Sequence, residues 1–351
     1  MIKEFLGCHF CQEFSLFATK SPRHGNFVVV LPRYDENRTP ARKGKTLTED
    51  AFEHSAAKMR DNGMTDMAIA QFKRLYEVWR SEEASTWIRE DDVEPLVGVP
   101  SFHDVYETIN HDKAVDAFAK TAFLKLNGGL GTSMGLDCAK SLLPVRRHKA
   151  RQMRFIDIII GQVLTARTRL GVELPLTLMN SFRTSNDTMK VLRANKKFHQ
   201  EDIPLEIVQH QEPKIGAETG LPVSFPANPE LEWCPPGHGD LFSTIWESGL
   251  LDVLEEKGFK YLFISNSDNL GARPSRTLAQ HFENTGAPFM IEVAKRTPAD
   301  RKGGHIVRDK ATGRLMLREM SQVHPDDKMM RRTSKSIRIL TRTASGCVST
   351  L

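Results

Sequence analysis

The sequence predicts an α/β protein in which a mixed, mostly parallel sheet lies between helices, preceded by an N-terminal helical segment. Three observations carry that prediction. From residue 121 onward, short apolar runs alternate with amphipathic stretches of helical period. Between Thr48 and Trp79, apolar residues recur every three or four positions instead. Several of the later apolar runs end in residues unusual for a strand, at the carboxyl ends where parallel sheets receive their ligands.

Taken in order, residues 1–45 lack sustained periodicity and carry turn residues at Ser21-Pro22, Gly25, Pro32, Thr39-Pro40 and Gly44. This predicts a disordered or non-native extension. Phe52, Ala56 and Met59, then Met67, Ile69, Phe72, Leu75 and Trp79, mark two amphipathic helices divided by Gly63. Strands are expected over residues 122–126, 174–179, 205–208, 261–264 and 288–293. Helical patterns fill residues 154–169, 187–194, 240–256 and 275–284, the last stopping before Gly286. Residues 305–308 and 314–319, around Lys310-Ala311-Thr312-Gly313, predict a β-hairpin. No internal repeat is present.

Composition narrows the function classes. Of 351 residues, 40% are hydrophobic and 26% charged, which excludes collagenous, coiled-coil and wholly disordered chains. No apolar run approaches the roughly 18 residues of a membrane span. Glu4 and Glu13 interrupt any signal-peptide core, so a soluble cytoplasmic protein without a membrane partner is expected. The net charge of +5 raises the question of nucleic acid. Its source is the two ends: residues 1–45 hold eight basic against four acidic residues, and residues 328–351 hold six basic and none acidic. The body between is net acidic, and no nucleic-acid partner is expected. The five cysteines are scattered; Cys8-x-x-Cys11 lacks a second ligand pair to complete a zinc site, and reduced thiols are expected.

Three segments carry chemistry. Asn127-Gly128-Gly129-Leu130-Gly131-Thr132-Ser133-Met134-Gly135 follows a predicted strand, and Lys140-Ser141 comes just after. Four glycines in eight residues let the backbone approach a ligand and turn several N–H groups toward phosphate oxygens. A Walker loop needs glycine before Lys-Ser, and Ala139 stands there; the Rossmann fingerprint fails because Gly129-x-Gly131 leads to Met134. The alternative is a glycine-rich turn without a ligand. Pro235-Pro236-Gly237-His238-Gly239-Asp240 opens a predicted helix, so His238 falls where anions are favoured, although a lone histidine can equally be structural. Ser265-Asn266-Ser267-Asp268-Asn269 follows an apolar strand; its carboxylate suits a divalent cation or a turn cap. Together these features fit phosphoryl or nucleotidyl transfer, which depends on charge neutralisation and in-line positioning.

The same residues resemble the UTP–glucose-1-phosphate uridylyltransferases, or UDP-glucose pyrophosphorylases. The resemblance rests on Lys125-Leu126-Asn127-Gly128-Gly129-Leu130-Gly131-Thr132-Ser133-Met134-Gly135, Leu178-Met179-Asn180-Ser181-Phe182, Trp233-Cys234-Pro235-Pro236-Gly237-His238-Gly239-Asp240, Ser265-Asn266-Ser267-Asp268-Asn269-Leu270-Gly271-Ala272 and Lys302-Gly303-Gly304. It implies a glycosyltransferase-A-like, Rossmann-like fold. It also implies a magnesium-dependent reaction of UTP with glucose 1-phosphate to UDP-glucose and pyrophosphate. By motif, Leu126, Asn127, Gly128 and Gly129 would cradle the nucleotide, Gln209 would contact the base, and Lys140 would neutralise phosphates. Gly237 would hold the nucleotide. Gly128, Gly129, His238, Asn266, Ser267 and Asp268 would hold the sugar phosphate. Asp268 would also contact the nucleotide and ligate Mg2+, and Lys140 with His238 would act in catalysis. The alternatives are a pyrophosphorylase for UDP-N-acetylhexosamine or for a broad range of UDP-sugars, and an inactive UTP-binding fragment.

Departures from the family pattern concern Cys138-Ala139, where Gly-Pro is usual, and the C-terminal end. Members continue with a Phe-Asn-Thr-Asn-x-(Leu/Ile)-Trp strand, a later phosphate-contacting lysine and a β-helix domain involved in assembly. The expectation is therefore a catalytic domain over residues 46–327, incomplete at its end, an aberrant basic tail over 328–351, and no oligomerisation through the β-helix. Residues 335–351 can be encoded so that a reading frame displaced by two nucleotides gives Lys-His-Pro-Tyr-Phe-Asn-Thr-Asn-Ser-Ile-Trp. The expectation is a frameshifted tail, and sequencing the source DNA decides it.

Overall fold

In the computed structural model, the described residues are 14–19, 27–32, 50–81, 87–131, 138–148, 151–295, 304–319, 322–324, 327, 339–340 and 347–350. Cys8, Cys11, Thr132–Gly135 of the glycine loop and Lys302-Gly303 lie outside them.

A six-stranded sheet forms the centre, in the order Phe289–Ile291, Cys347–Thr350, Tyr261–Asn266, Thr121–Asn127, Leu176–Asn180, Glu206–Val208. Its last four strands are mutually parallel, as the alternation of strands and helices predicts. Every residue of Thr121–Asn127 is buried, because helices cover both faces. Successive side chains in the strand point to opposite sides. Phe123, with Leu176, Leu178 and Phe263, packs in the core that includes Ile156, Ile159, Ile160 and Phe282. Ala122, Leu124 and Leu126 pack in the other core, with Leu241, Ile245, Leu251 and Leu254. A hydrophobic run with no polar alternation therefore makes a central strand.

The helices follow the sequence signals closely. Phe155–Leu170 ends at Gly171 with φ +65°, and Arg276–Thr285 begins at Ser275, whose hydroxyl accepts from the Leu278 amide. The single helix expected over 240–256 is instead two, Leu241–Glu247 and Leu250–Glu256. Gly249, at φ +70°, breaks the right-handed path between them. The amphipathic pair at the N-terminal side forms as Ala51–Asp61 and Asp66–Arg80, and its apolar face packs on Trp233.

A second, five-stranded sheet contains the expected hairpin, His305–Asp309 with Leu315–Arg318, and adds Val93–Pro95, which the sequence reading missed. Within residues 1–45, read from sequence as lacking regular structure, Phe14–Thr19 and Phe27–Pro32 pair antiparallel. The run Phe27-Val28-Val29-Val30-Leu31 has the β-branched composition that favours this. From the tail, the backbone of Cys347–Thr350 lies antiparallel between Tyr261–Asn266 and Phe289–Ile291. The backbone of Ile339–Leu340 pairs in the second sheet, so both described pieces of the tail take part in sheet pairing.

A charged side chain lies at the centre of this framework. Lys125 is 1% exposed, and its ammonium donates to Ser265 Oγ at 2.6 Å and to the Ala272 carbonyl at 3.0 Å. It thereby ties the central strand to the segment flanking Asp268. Burial pushes its pKa down to about 8 from 10.5. Below about 8 both folded and unfolded chains hold the proton. Between there and 10.5 the folded state releases it first, so stability contributed by this site rises with pH and is lost as pH falls. The difference in unfolding free energy between wild type and Lys125→Met is expected to move in favour of wild type by about 1 kcal/mol per pH unit across that window. Denaturant melts at stepped pH measure it; a constant difference would contradict the assignment.

Candidate active site

Parallel strands deliver their carboxyl ends to one edge, and the register decides which residues meet there. Asn127 stands opposite Asn180, Asn180 opposite Val208, and Asn266 opposite Leu126. The residues that follow, Gly128, Ser181, Gln209 and Ser267, are therefore neighbours although they are far apart in sequence.

A rail of hydrogen bonds joins these ends. Ser267 Oγ donates to Asn127 Oδ1 at 2.8 Å, and Asn127 Nδ2 donates to Asn180 Oδ1 at 2.7 Å and Thr188 Oγ1 at 3.0 Å. Asn180 Nδ2 donates in turn to Glu206 Oε2 at 2.8 Å, where Ser185 Oγ also donates. Buried amides joined in this way satisfy one another and fix the strand ends. Asn127 and Ser267, expected from the family motifs to contact substrates, have side chains that are buried and committed to this rail. The Leu126 side chain lies in the core, and its carbonyl accepts from the Ser267 amide at 3.0 Å. These contacts place Gly128 and Asp268 at the sheet edge.

The glycine segment then folds back on itself. Leu130 bridges Ala139, the Gly131 amide donates to the Cys138 carbonyl at 3.0 Å, and the Lys140 amide donates to the Gly129 carbonyl at 3.2 Å. This pinch lays the Lys140 side chain over Gly129, where a Cβ would meet Lys140 Cε at 3.8 Å. The Gly128 carbonyl accepts from Ser181 Oγ at 2.9 Å. A Cβ on Gly128 would come within 2.2 Å of Gln209 Oε1, so only glycine allows that approach.

Gln209 is the bridge to the opposite wall. Its amide donates to the Asn180 carbonyl at 2.8 Å and its Nε2 to the Gly237 carbonyl at 2.8 Å. Gly237 has φ +87° and ψ −171°, a conformation essentially confined to glycine. That kink presents His238 on the wall facing the glycine segment.

Three side chains of the candidate site converge here. Lys140 Nζ lies 3.5 Å from Asp268 Oδ2, both side chains about one-third exposed (34% and 33%). His238 feels both: burial holds its pKa below the usual histidine range, with Asp268 pulling it up and Lys140 pushing it further down. The imidazole is thus favoured in its neutral form. Asn266 is half-buried at the strand end beside this group. The site joins backbone curvature, an ammonium, a neutral imidazole and one carboxylate, and no activated nucleophile stands among its described residues. Such an arrangement neutralises and orients phosphates without forming a covalent intermediate.

Two supporting residues escaped the sequence reading. Ser181 holds the Gly128 carbonyl, and His210 joins Asp240 and Glu247 through both ring nitrogens. Ser181 lay within the motif Leu178-Met179-Asn180-Ser181-Phe182, and that motif was the signal that could have found it. The position of His210 immediately after Gln209 was the one available signal.

Comparisons with known proteins converge on one family. A family model described as UTP–glucose-1-phosphate uridylyltransferase matches residues 69–343. The uridylyltransferase of that name from Encephalitozoon cuniculi is 36% identical over 269 residues, covering 76% of this chain and 51% of that protein. The Saccharomyces cerevisiae protein is 38% identical over 221 residues, 62% of this chain and 42% of its own length. The chain thus spans about half the length of the curated relatives it matches. Among solved structures, UDP-glucose phosphorylase from Trypanosoma brucei superposes with a TM-score of 0.76 at 31% identity, covering 86% of this chain and 63% of that one. A point mutant of Leishmania major UDP-glucose pyrophosphorylase, solved in complex with UDP-glucose, gives 0.74 at 32% identity, covering 87% and 64%. With the fold, the glycine segment and the family match all in accord, the chain belongs to the UTP–glucose-1-phosphate uridylyltransferase family.

Proposed function

We propose that this chain carries the uridylyl-transfer site of its family and forms UDP-glucose and pyrophosphate from UTP and glucose 1-phosphate. The observation that carries the reading is the convergence of Lys140, His238 and Asp268 beside Gly128 and Gly129. A phosphate oxygen of glucose 1-phosphate attacks the α-phosphorus of UTP in line. The bond from that phosphorus to the oxygen bridging to the β-phosphate breaks, and pyrophosphate departs with its electron pair. No enzyme nucleophile is required. Charge on the phosphates is the main obstacle, and the backbone amides and Lys140 meet it. Gln209 contacts the uracil base, and neutral His238 donates a hydrogen bond to phosphate without adding a second cation beside Lys140.

Mg2+ fits the same reading. It is commonly held by one or two carboxylates together with substrate phosphates. Asp268 supplies one carboxylate next to the phosphate cradle, and among the described residues no cluster of three ligating side chains competes with it. The ion would add charge neutralisation of the phosphates. In its absence Asp268 has the Lys140 ammonium as counter-charge. Asp268→Asn is expected to raise the Mg2+ concentration for half-maximal rate by about tenfold or more. A magnesium titration that superposes on wild type would remove Asp268 as the ligand.

The reaction itself is tested by pyrophosphate release from UTP with glucose 1-phosphate, run beside N-acetylhexosamine 1-phosphates. Faster release with the latter would favour the acetylhexosamine reading. Binding of UTP with no release from any sugar phosphate would identify a fragment that binds but does not turn over. No helix among the described residues is long and apolar enough to cross a membrane.

A further inference from the structure

Beneath the wall that carries His238, three ionisable side chains form a line. Asp240 is 1% exposed at the start of helix Leu241–Glu247 and accepts from the His210 amide at 2.8 Å and from Thr244 Oγ1 at 3.0 Å. Its other oxygen lies 2.8 Å from His210 Nδ1. His210 Nε2 bonds Glu247, at the far end of that short helix. Both ring nitrogens therefore face carboxylates. Only the imidazolium can donate to both at once; a neutral ring satisfies one and leaves the other without its donor.

The line matters because of what it adjoins. His210 follows Gln209, whose side chain holds the Gly237 carbonyl, and Asp240 lies three residues after Gly237 on the same loop. The His210–Asp240 contacts are thus a second tie between the two segments that Gln209 joins. We propose that His210 is a positioning residue, an imidazolium brace clamped between Asp240 and Glu247 that sets the Gly237–His238 wall against Gln209. The inference rests on the uridylyl-transfer reading for its consequence but not for its geometry.

The charges that face the ring are Asp240 and Glu247. Next to it in the chain, Gln211 meets two neutral groups of the N-terminal helical segment, Asn62 through its side chain and the Met64 sulfur through its amide. Burial alone would lower the His210 pKa. The hydrogen bond and charge of Asp240, joined by those of Glu247, outweigh burial and hold it above the usual histidine range. The brace is therefore intact below that raised value and loosens as pH rises through it.

NMR on the full chain, labelled at histidine ring nitrogens and glycine amides, tests this without substrate. The Gly237 amide is expected to titrate with the midpoint of the His210 ring. Glu247→Gln, which keeps an acceptor but removes a charge, is expected to lower both midpoints together by about one pH unit. In kinetics, KM for UTP is expected to rise about fivefold above the His210 midpoint, with a smaller change in kcat. His210→Asn, which can still reach Asp240, is expected to abolish the pH step. A Gly237 signal that ignores the ring, or midpoints unmoved by Glu247→Gln, overturns the brace. Absence of turnover at every pH would count against uridylyl transfer instead, and the ligand-free titration would still decide the brace.

Discussion

Replacing Lys140 with alanine is expected to lower kcat/KM for UDP-glucose formation by about 10²–10³-fold while leaving the fold intact. The magnitude is that of removing one preorganised group aimed at charge in a transition state. Folding survives because the side chain is one-third exposed and its ion pair with Asp268 spans 3.5 Å at a wet site, where such pairs contribute little. The pinch that shapes the glycine segment also survives, because it uses the Lys140 amide and not its side chain. Steady-state kinetics alongside a thermal melt measure both halves. A loss below threefold, or a collapse in melting temperature, would contradict the role assigned to the ammonium.

The second large effect is expected at Gly128. A methyl there lies 2.2 Å from Gln209 Oε1, and Gln209 is buried and bound at both backbone and side chain. The far end of a glutamine can move, but here moving it breaks the 2.8 Å bond to the Gly237 carbonyl. Gly128→Ala is therefore expected to raise KM for UTP by about 10–100-fold, since breaking a buried hydrogen bond and leaving its acceptor unpaired costs about 1–3 kcal/mol. A double-mutant cycle isolates the cause. In a Gln209→Ala background the same substitution meets no side chain and is expected to add less than about threefold. Equal effects in both backgrounds would place the damage elsewhere.

Much of the scaffold was legible in the sequence because its strands are buried on both faces. Runs such as Ala122-Phe123-Leu124 and Leu262-Phe263-Ile264 have no polar alternation and are bounded by helical patterns. Helix ends were legible where Ser275 and Gly286 supply caps. The break at Gly249 was not, because an isolated glycine inside an amphipathic pattern is tolerated in many helices. The short strand Val93–Pro95 was missed for another reason: its pairing with His305–Asp309 is set by a partner more than 200 residues away.

The site divided along similar lines. Local composition identified the glycine segment, His238 and Asp268. It could not separate residues at the sheet edge from those beneath it. Asn127 and Ser267 resemble ligand contacts in sequence, and only the register shows their side chains spent on Asn180, Thr188 and each other. His210 was passed over for the converse reason, since its partners Asp240 and Glu247 lie 30 and 37 positions along the chain.

Calorimetry of UTP with Mg2+ on the full chain and on Lys140→Ala tests the central claim most directly. One exothermic site per chain is expected, weakened at least tenfold by loss of the ammonium. Absent heat on the folded wild type, or equal affinity in the two proteins, would contradict a triphosphate held by the Gly128–Gly129 bend and Lys140.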